Sequence, residues 1–325
     1  MKRMILLSMA MVMSMTMLFA QSREGLTEYK LDNGLTVMLW EDHDQPDVTG
    51  YVAVRAGAMD EPSEYTGLAH YLEHMLFKGT DRIGALDWEK EQPLYEQIIA
   101  LYDTLALTTD AKAREAVQLR INEVSLEAAK YAAPDEFSNL IQGIGGEGLN
   151  AFTAYDVTCY MNSFPAYQME RWLTLYADRL TNPVFRSFQA ELENVFEEYN
   201  MYLDDNSTHS RNFIFGKLYE GHAYARDIIG YAEDLKNPKL RKLIDFYNTW
   251  YVPNNMALIL VGDFDIEATK PLIEKTFGKL QARPLPERTK YPTTAFAQDE
   301  RYSAKLGYMP ELYIAYNGVP VGDKD

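Results

Sequence analysis

The chain has 325 residues, with 31 Lys and Arg against 48 Asp and Glu, and a formal net charge of −17, which argues against nucleic acid as its partner. Apolar residues make up 47% and aromatics 13%, enough to bury one large core or two ordinary ones, which argues against wholesale disorder. A single cysteine, Cys159, rules out an internal disulfide framework and a Cys-rich zinc site, so any metal has to be held by histidine and carboxylate.

Residues 1–20 read as a secretory signal: a basic start at Lys2 and Arg3, an uncharged apolar stretch over 4–19, and the small residue Ala20 before Gln21. That stretch is shorter than the ~20 residues of a membrane span, so the expectation is export with cleavage near Ala20-Gln21, to the periplasm or beyond, without stable membrane insertion. From Thr27 onward Tyr29, Leu31, Leu35, Val37 and Leu39 alternate around Asn33-Gly34, which predicts a β-hairpin, and residues 48–56 predict a third strand. An amphipathic helix starts near Thr66-Gly67 and carries His70, Glu73 and His74. Residues 84 to 144 are helical in pattern, with breaks at 108–110 and 133–135, and predict two long surface helices.

The glycine cluster over 143–148 leads into a β-branched and aromatic run over 150–160, read as one strand whose edge another backbone can approach. Cys159 within it reads as a small buried apolar residue. Helices are predicted over 165–180 and over 188–202, the second carrying Glu191, Glu193, Glu197 and Glu198, and a further helix over 239–250. A strand over 256–261 and a helix over 266–277 ending at Gly278 follow. Residues 282–306, with Pro284, Pro286 and Pro292, read as a linker, and a new strand is expected from Leu312 to Tyr316. The sequence stops a few residues into that element, so a C-terminally truncated chain is expected.

His70-Tyr71-Leu72-Glu73-His74 is an HxxEH pattern on a helix, and at about 100° per residue its three polar side chains share one face. Two imidazoles one turn apart can reach one zinc ion, leaving Glu73 beside the activated water as general base. Such a site wants a third protein ligand, and a carboxylate is the remaining chemistry with many candidates. His43, His209 and His222 lack a matching pattern and read as turn, surface or packing residues, and the tyrosines over 199–202 as core or rim.

The stretch from Gly67 to Thr80 resembles the inverted zinc motif of the M16 metallopeptidases, the insulinase, pitrilysin and mitochondrial processing peptidase family. Further likenesses fall in family order at Asn33-Gly34-Leu35-Thr36-Val37, Asn150-Ala151-Phe152-Thr153, Ala177-Asp178-Arg179-Leu180-Thr181-Asn182-Pro183 and Trp250-Tyr251-Val252-Pro253-Asn254-Asn255. The resemblance implies an α+β domain with a mixed, largely antiparallel sheet and packed helices, spanning residues 21–281, and one Zn²⁺ bound by His70, His74 and Glu198. Glu198 closes an E-x6-E segment that Glu191 opens, and Glu191 resembles the family's outer carboxylate. At seven residues apart these two share a helix face, whereas Glu197 points about 100° away. His74 and Glu198 are farther apart than in compact members, so the helices around 84–136 read as an insertion.

By the same resemblance Asn150 and Ala151 lie on a strand edge that pairs with extended peptide. The implied activity is zinc-dependent endopeptidase hydrolysis of peptide or unfolded protein, with Glu73 moving the proton. The family builds its chamber from two homologous halves, and residues 307–325 resemble the start of the second. A missing C-terminal half or complementary subunit is therefore the expected partner, with its Arg and Tyr residues, and this chain alone is expected to bind zinc but cleave poorly. The alternatives are a non-catalytic scaffold of the same fold and a module that binds peptide by strand addition.

Overall fold

The computed structural model describes residues 25–236, 239–291, 298–306, 310–316 and 318. The expected signal segment and most of residues 307–325 lie outside the described residues. Six strands form one sheet: β1 (Leu26–Lys30), β2 (Thr36–Glu41), β3 (Asp47–Val54), β4 (Glu147–Thr153), β5 (Thr158–Pro165) and β6 (Met256–Gly262), in the order β1-β2-β6-β3-β5-β4. β2 and β6 are parallel and every other neighbouring pair is antiparallel, which is the mixed, largely antiparallel sheet expected. The helices are α1 (Leu68–Met75), α2 (Trp88–Leu107), α3 (Ala111–Ala128), α4 (Glu136–Gly143), α5 (Met169–Arg179), α6 (Phe188–Leu203), α7 (Asn206–Leu218), α8 (Ala232–Leu235), α9 (Leu240–Trp250) and α10 (Ile266–Phe277).

Period-2 alternation decides which face of the sheet is buried. Val48, Val52 and Val54 are buried on β3, and the register sets them beside Phe164, Tyr160, Leu258 and Met256 of the neighbouring strands. Gly50 lies in the same row because the Trp172 ring of α5 sits there, and a Cβ would come within 2.3 Å of it. Trp172 Nε1 and the Tyr176 hydroxyl both donate to Asn162 Oδ1, at 2.8 and 2.6 Å, so the polar atoms of this wall are satisfied. The β1–β2 turn is fixed from outside as well, since Asn33 Nδ2 donates to the carbonyls of Phe277, the last residue of α10, and of Leu280 just past it.

Three expectations change. The run over 150–160 is a hairpin, β4 and β5, closed by Ala154 N donating to Val157 O at 2.7 Å. Its turn lacks Gly and Pro, and the carbonyls of Ala154 and Tyr155 are held by the backbone N–H groups of Ala58 and Met59, a long-range contact that no local pattern announces. α7 has no counterpart in the sequence reading, because its apolar residues follow no helical period and only Asp205, accepting from Ser207 N and Thr208 N, marks its start. Leu312–Tyr316 forms no strand: Leu312, Ile314 and Tyr316 are exposed, and no described element pairs with them. Among the described residues no helix is long and apolar enough to cross a membrane.

Candidate metal centre

α1 is held at both ends by residues outside the helix. Gly67 precedes it at φ +83°, packed so tightly that a Cβ would meet Ile229 O at 2.5 Å. The buried Glu61 carboxylate then accepts from the backbone N–H groups of Gly67 and Ala69, at 2.9 and 2.7 Å, satisfying donors that a helix start leaves open. At the other end Arg179 Nε donates to Leu76 O at 3.0 Å, and the Tyr71 hydroxyl donates to Phe188 O at the start of α6. Glu61→Ala leaves two buried donors without an acceptor and is expected to cost about 2–4 kcal/mol, read as a lower denaturant midpoint; a loss under about 0.5 kcal/mol would contradict this account of the helix start.

So placed, α1 brings its HxxEH residues against α6. His70 Nε2 lies 3.7 Å and His74 Nε2 3.5 Å from Glu198 Oε2. Metal–ligand bonds of about 2.0–2.2 Å at tetrahedral angles set neighbouring donor atoms about 3.3–3.6 Å apart; the two contacts to Glu198 lie close to that spacing, and the three donor atoms together lie within 4.8 Å of one another. His70, His74 and Glu198 are the group among the described residues whose donor atoms could share an ion. Glu193 and Glu197 are exposed on the same helix and take no part.

The electrostatics follow from burial and from two acid partners. Burial, helped by the neighbouring His74, pushes His70 down to about 4, so its ring is neutral, the form that binds metal. At His74 burial opposes the charge, but hydrogen bonds to Glu191 and Glu198 outweigh it and lift the ring to about 9. The Glu198 carboxyl is held below its usual range, chiefly by the His74 hydrogen bond. Burial raises Glu73, partly offset by a 2.6 Å hydrogen bond from Thr153 Oγ1 to its Oε2.

Glu191 lies one step out. Its Oε1 is 2.8 Å from His74 Nδ1, while its Oε2 is 2.6 Å from Lys78 Nζ and 3.2 Å from Asn194 Nδ2. Burial works against its charge, yet His74 and Lys78 hold its carboxyl down at about 2. Asn150 and Ala151 sit on β4, the outermost strand, whose far edge pairs with no strand among the described residues. Thr153 at the end of that strand carries it to Glu73.

The other expected side chains lie elsewhere. His43 pairs with Asp263, His209 Nε2 is 2.7 Å from Leu203 O, and His222 caps a short 3-10 turn. Cys159 is a buried free thiol, and burial raises it to about 11. Lys78, Thr153 and Asn194 went unassigned in the sequence. Lys78 stands four residues after His74 and Asn194 three after Glu191, spacings that could have singled them out, whereas nothing local ties Thr153 to Glu73.

A family model described as insulinase (peptidase family M16) matches residues 36–91 and 121–232, and one described as the M16 inactive domain matches residues 239–325. The interruption, 92–120, falls in the α2–α3 hairpin. Among curated proteins the chain is 25% identical over 281 residues to the probable zinc protease PqqL of Escherichia coli, covering 84% of this chain and 25% of PqqL. It is 23% identical to the uncharacterized zinc protease YmxG of Bacillus subtilis, covering 91% of this chain and 60% of that protein. The crystal structure of the first half of the periplasmic protease PqqL superimposes with a TM-score of 0.62 at 24% identity, covering 84% of this chain and 50% of that one. A protease from Helicobacter pylori gives a TM-score of 0.62 at 21% identity, covering 82% and 53%. The chain therefore spans between a quarter and 60% of these relatives.

Proposed function

This chain belongs to the insulinase family of peptidases, family M16, and from that premise we propose that it is the zinc-bearing half of an exported endopeptidase. His70, His74 and Glu198 hold one Zn²⁺, Glu73 is the general base, and the β4 edge at Asn150 and Ala151 takes an extended peptide. The observation that carries the reading is the meeting of three donor atoms, from two helices, within 4.8 Å of one another beside a second, buried acid, Glu73.

Bound zinc supplies a lowered pKa for water and a polarised substrate carbonyl. Every other part belongs to the chain. Thr153 fixes Glu73 Oε2, and the other carboxylate oxygen, without a hydrogen-bond partner among the described residues, faces the task of taking a proton from water and returning it to the leaving amine. The raised Glu73 carboxyl suits that exchange. β4 offers unpaired backbone groups within reach of Glu73, so a peptide added as a further strand has its carbonyls aligned by the ladder.

The organisation follows the same reading: a zinc domain over 21–281 with α2 and α3 as an insertion, a linker over 282–306, and the beginning of a second homologous domain over 307–325. The interrupted family match and the half-length overlap with the PqqL structure support it. The periplasmic location of that relative supports export after a signal segment at 1–20. Peptide or unfolded protein is the substrate, and a second half or complementary subunit completes the chamber.

The purified chain should retain one zinc per chain by elemental analysis. Glu198→Ala should weaken zinc about 10²-fold in chelator competition, while Glu197→Ala leaves it unchanged. Equal affinity in the Glu198 variant would remove the ligand assignment.

A further inference from the structure

We propose that Lys78 is a positioning residue for the metal centre, holding Glu191 so that Glu191 in turn holds the His74 ring; the inference rests on the zinc reading above. The chain of contacts is continuous: Lys78 Nζ to Glu191 Oε2 at 2.6 Å, Glu191 Oε1 to His74 Nδ1 at 2.8 Å, and His74 Nε2 to Glu198 Oε2 at 3.5 Å. An acceptor on the second nitrogen of a ligating imidazole sets both its tautomer and its ring plane. Glu191 is that acceptor, with a side chain only 9% exposed. A carboxylate so enclosed needs its second oxygen held as well, and Lys78 at 2.6 Å is nearer to it than Asn194 at 3.2 Å.

Lys78 is well placed for this work. It lies just past the C-terminal end of α1, its own backbone N–H donates to Met75 O at 3.1 Å, and its carbonyl accepts from Arg186 Nη1 at 3.1 Å. The backbone of Lys78 is thus tied to the end of α1 on one side and to Arg186 on the other, and its side chain is only 20% exposed.

The test is zinc affinity of the chain by chelator competition with Zn²⁺ alone, together with thermal unfolding of the metal-free form. Lys78→Met should weaken zinc about tenfold or more, and Lys78→Arg, which keeps a cationic donor, should recover most of that loss. A purely structural lysine would lower the metal-free melting temperature and leave zinc affinity within about twofold of wild type, and that outcome overturns the proposal, as does a Lys78→Arg variant no better than Lys78→Met. Glu198→Ala, measured alongside, separates the two readings: if it binds zinc as wild type does, the zinc site itself is misplaced, whereas a weakened Glu198→Ala with an unaffected Lys78→Met defeats only the role given to Lys78.

Discussion

Glu73→Gln should abolish peptide hydrolysis, by about 10³-fold or more, and leave zinc content and affinity unchanged. The substitution keeps the shape of the side chain and an oxygen to accept from Thr153, which lies 2.6 Å from the carboxylate. It removes the one property the proposed mechanism needs there, the capacity to take and return a proton, which is worth about 10²–10⁴ in rate. The histidines on either side keep their own partners: His74 is held by Glu191, and His70 Nε2 faces Glu198. Metal binding should therefore be indifferent to the change. The measurement is cleavage of an unfolded protein by the full-length gene product, with zinc determined on the same samples. Near-wild-type cleavage with zinc retained would defeat the base assignment, and loss of zinc along with activity would mean that Glu73 is a ligand.

Much of this centre was legible because helical periodicity is a local property. His70, Glu73 and His74 share a face whatever the rest of the chain does, and the seven-residue spacing of Glu191 and Glu198 puts both on one side of α6. What the sequence alone leaves open is which distant element delivers the complement. Thr153 reaches Glu73 across 80 residues and Glu61 secures the helix start through backbone groups, contacts set by how β4 and the Ala58–Asp60 turn pack. The fold follows the same division. Strands with period-2 alternation, such as β3, and helices with punctuated ends, such as α10, were plain, whereas the β4–β5 turn lacks its usual residues and α7 lacks an apolar stripe.

Arg186→Met should be the most destabilising single change outside the apolar core, costing about 3–5 kcal/mol and lowering the melting temperature by about 10 °C. Arg186 Nη2 and Nε meet both oxygens of Glu91, at 2.9 and 2.5 Å, and the two side chains are 7% and 2% exposed. Removing the cation alone strands a carboxylate in the interior. The same guanidinium donates to the carbonyls of Thr80 and Lys78, at 2.7 and 3.1 Å, so it binds the loop after α1, the first turn of α2 and the approach to α6 into one unit. An Arg186→Met, Glu91→Leu double variant should regain much of the loss, since a packed apolar pair avoids the cost of burying both charges. A single-variant loss below about 1 kcal/mol would show the pair to be dispensable. Because Arg186 fixes the backbone from which Lys78 reaches Glu191, stability and zinc affinity should fall together in Arg186→Met. In the double variant stability should return while affinity stays reduced, the carbonyl of Lys78 having lost its donor for good.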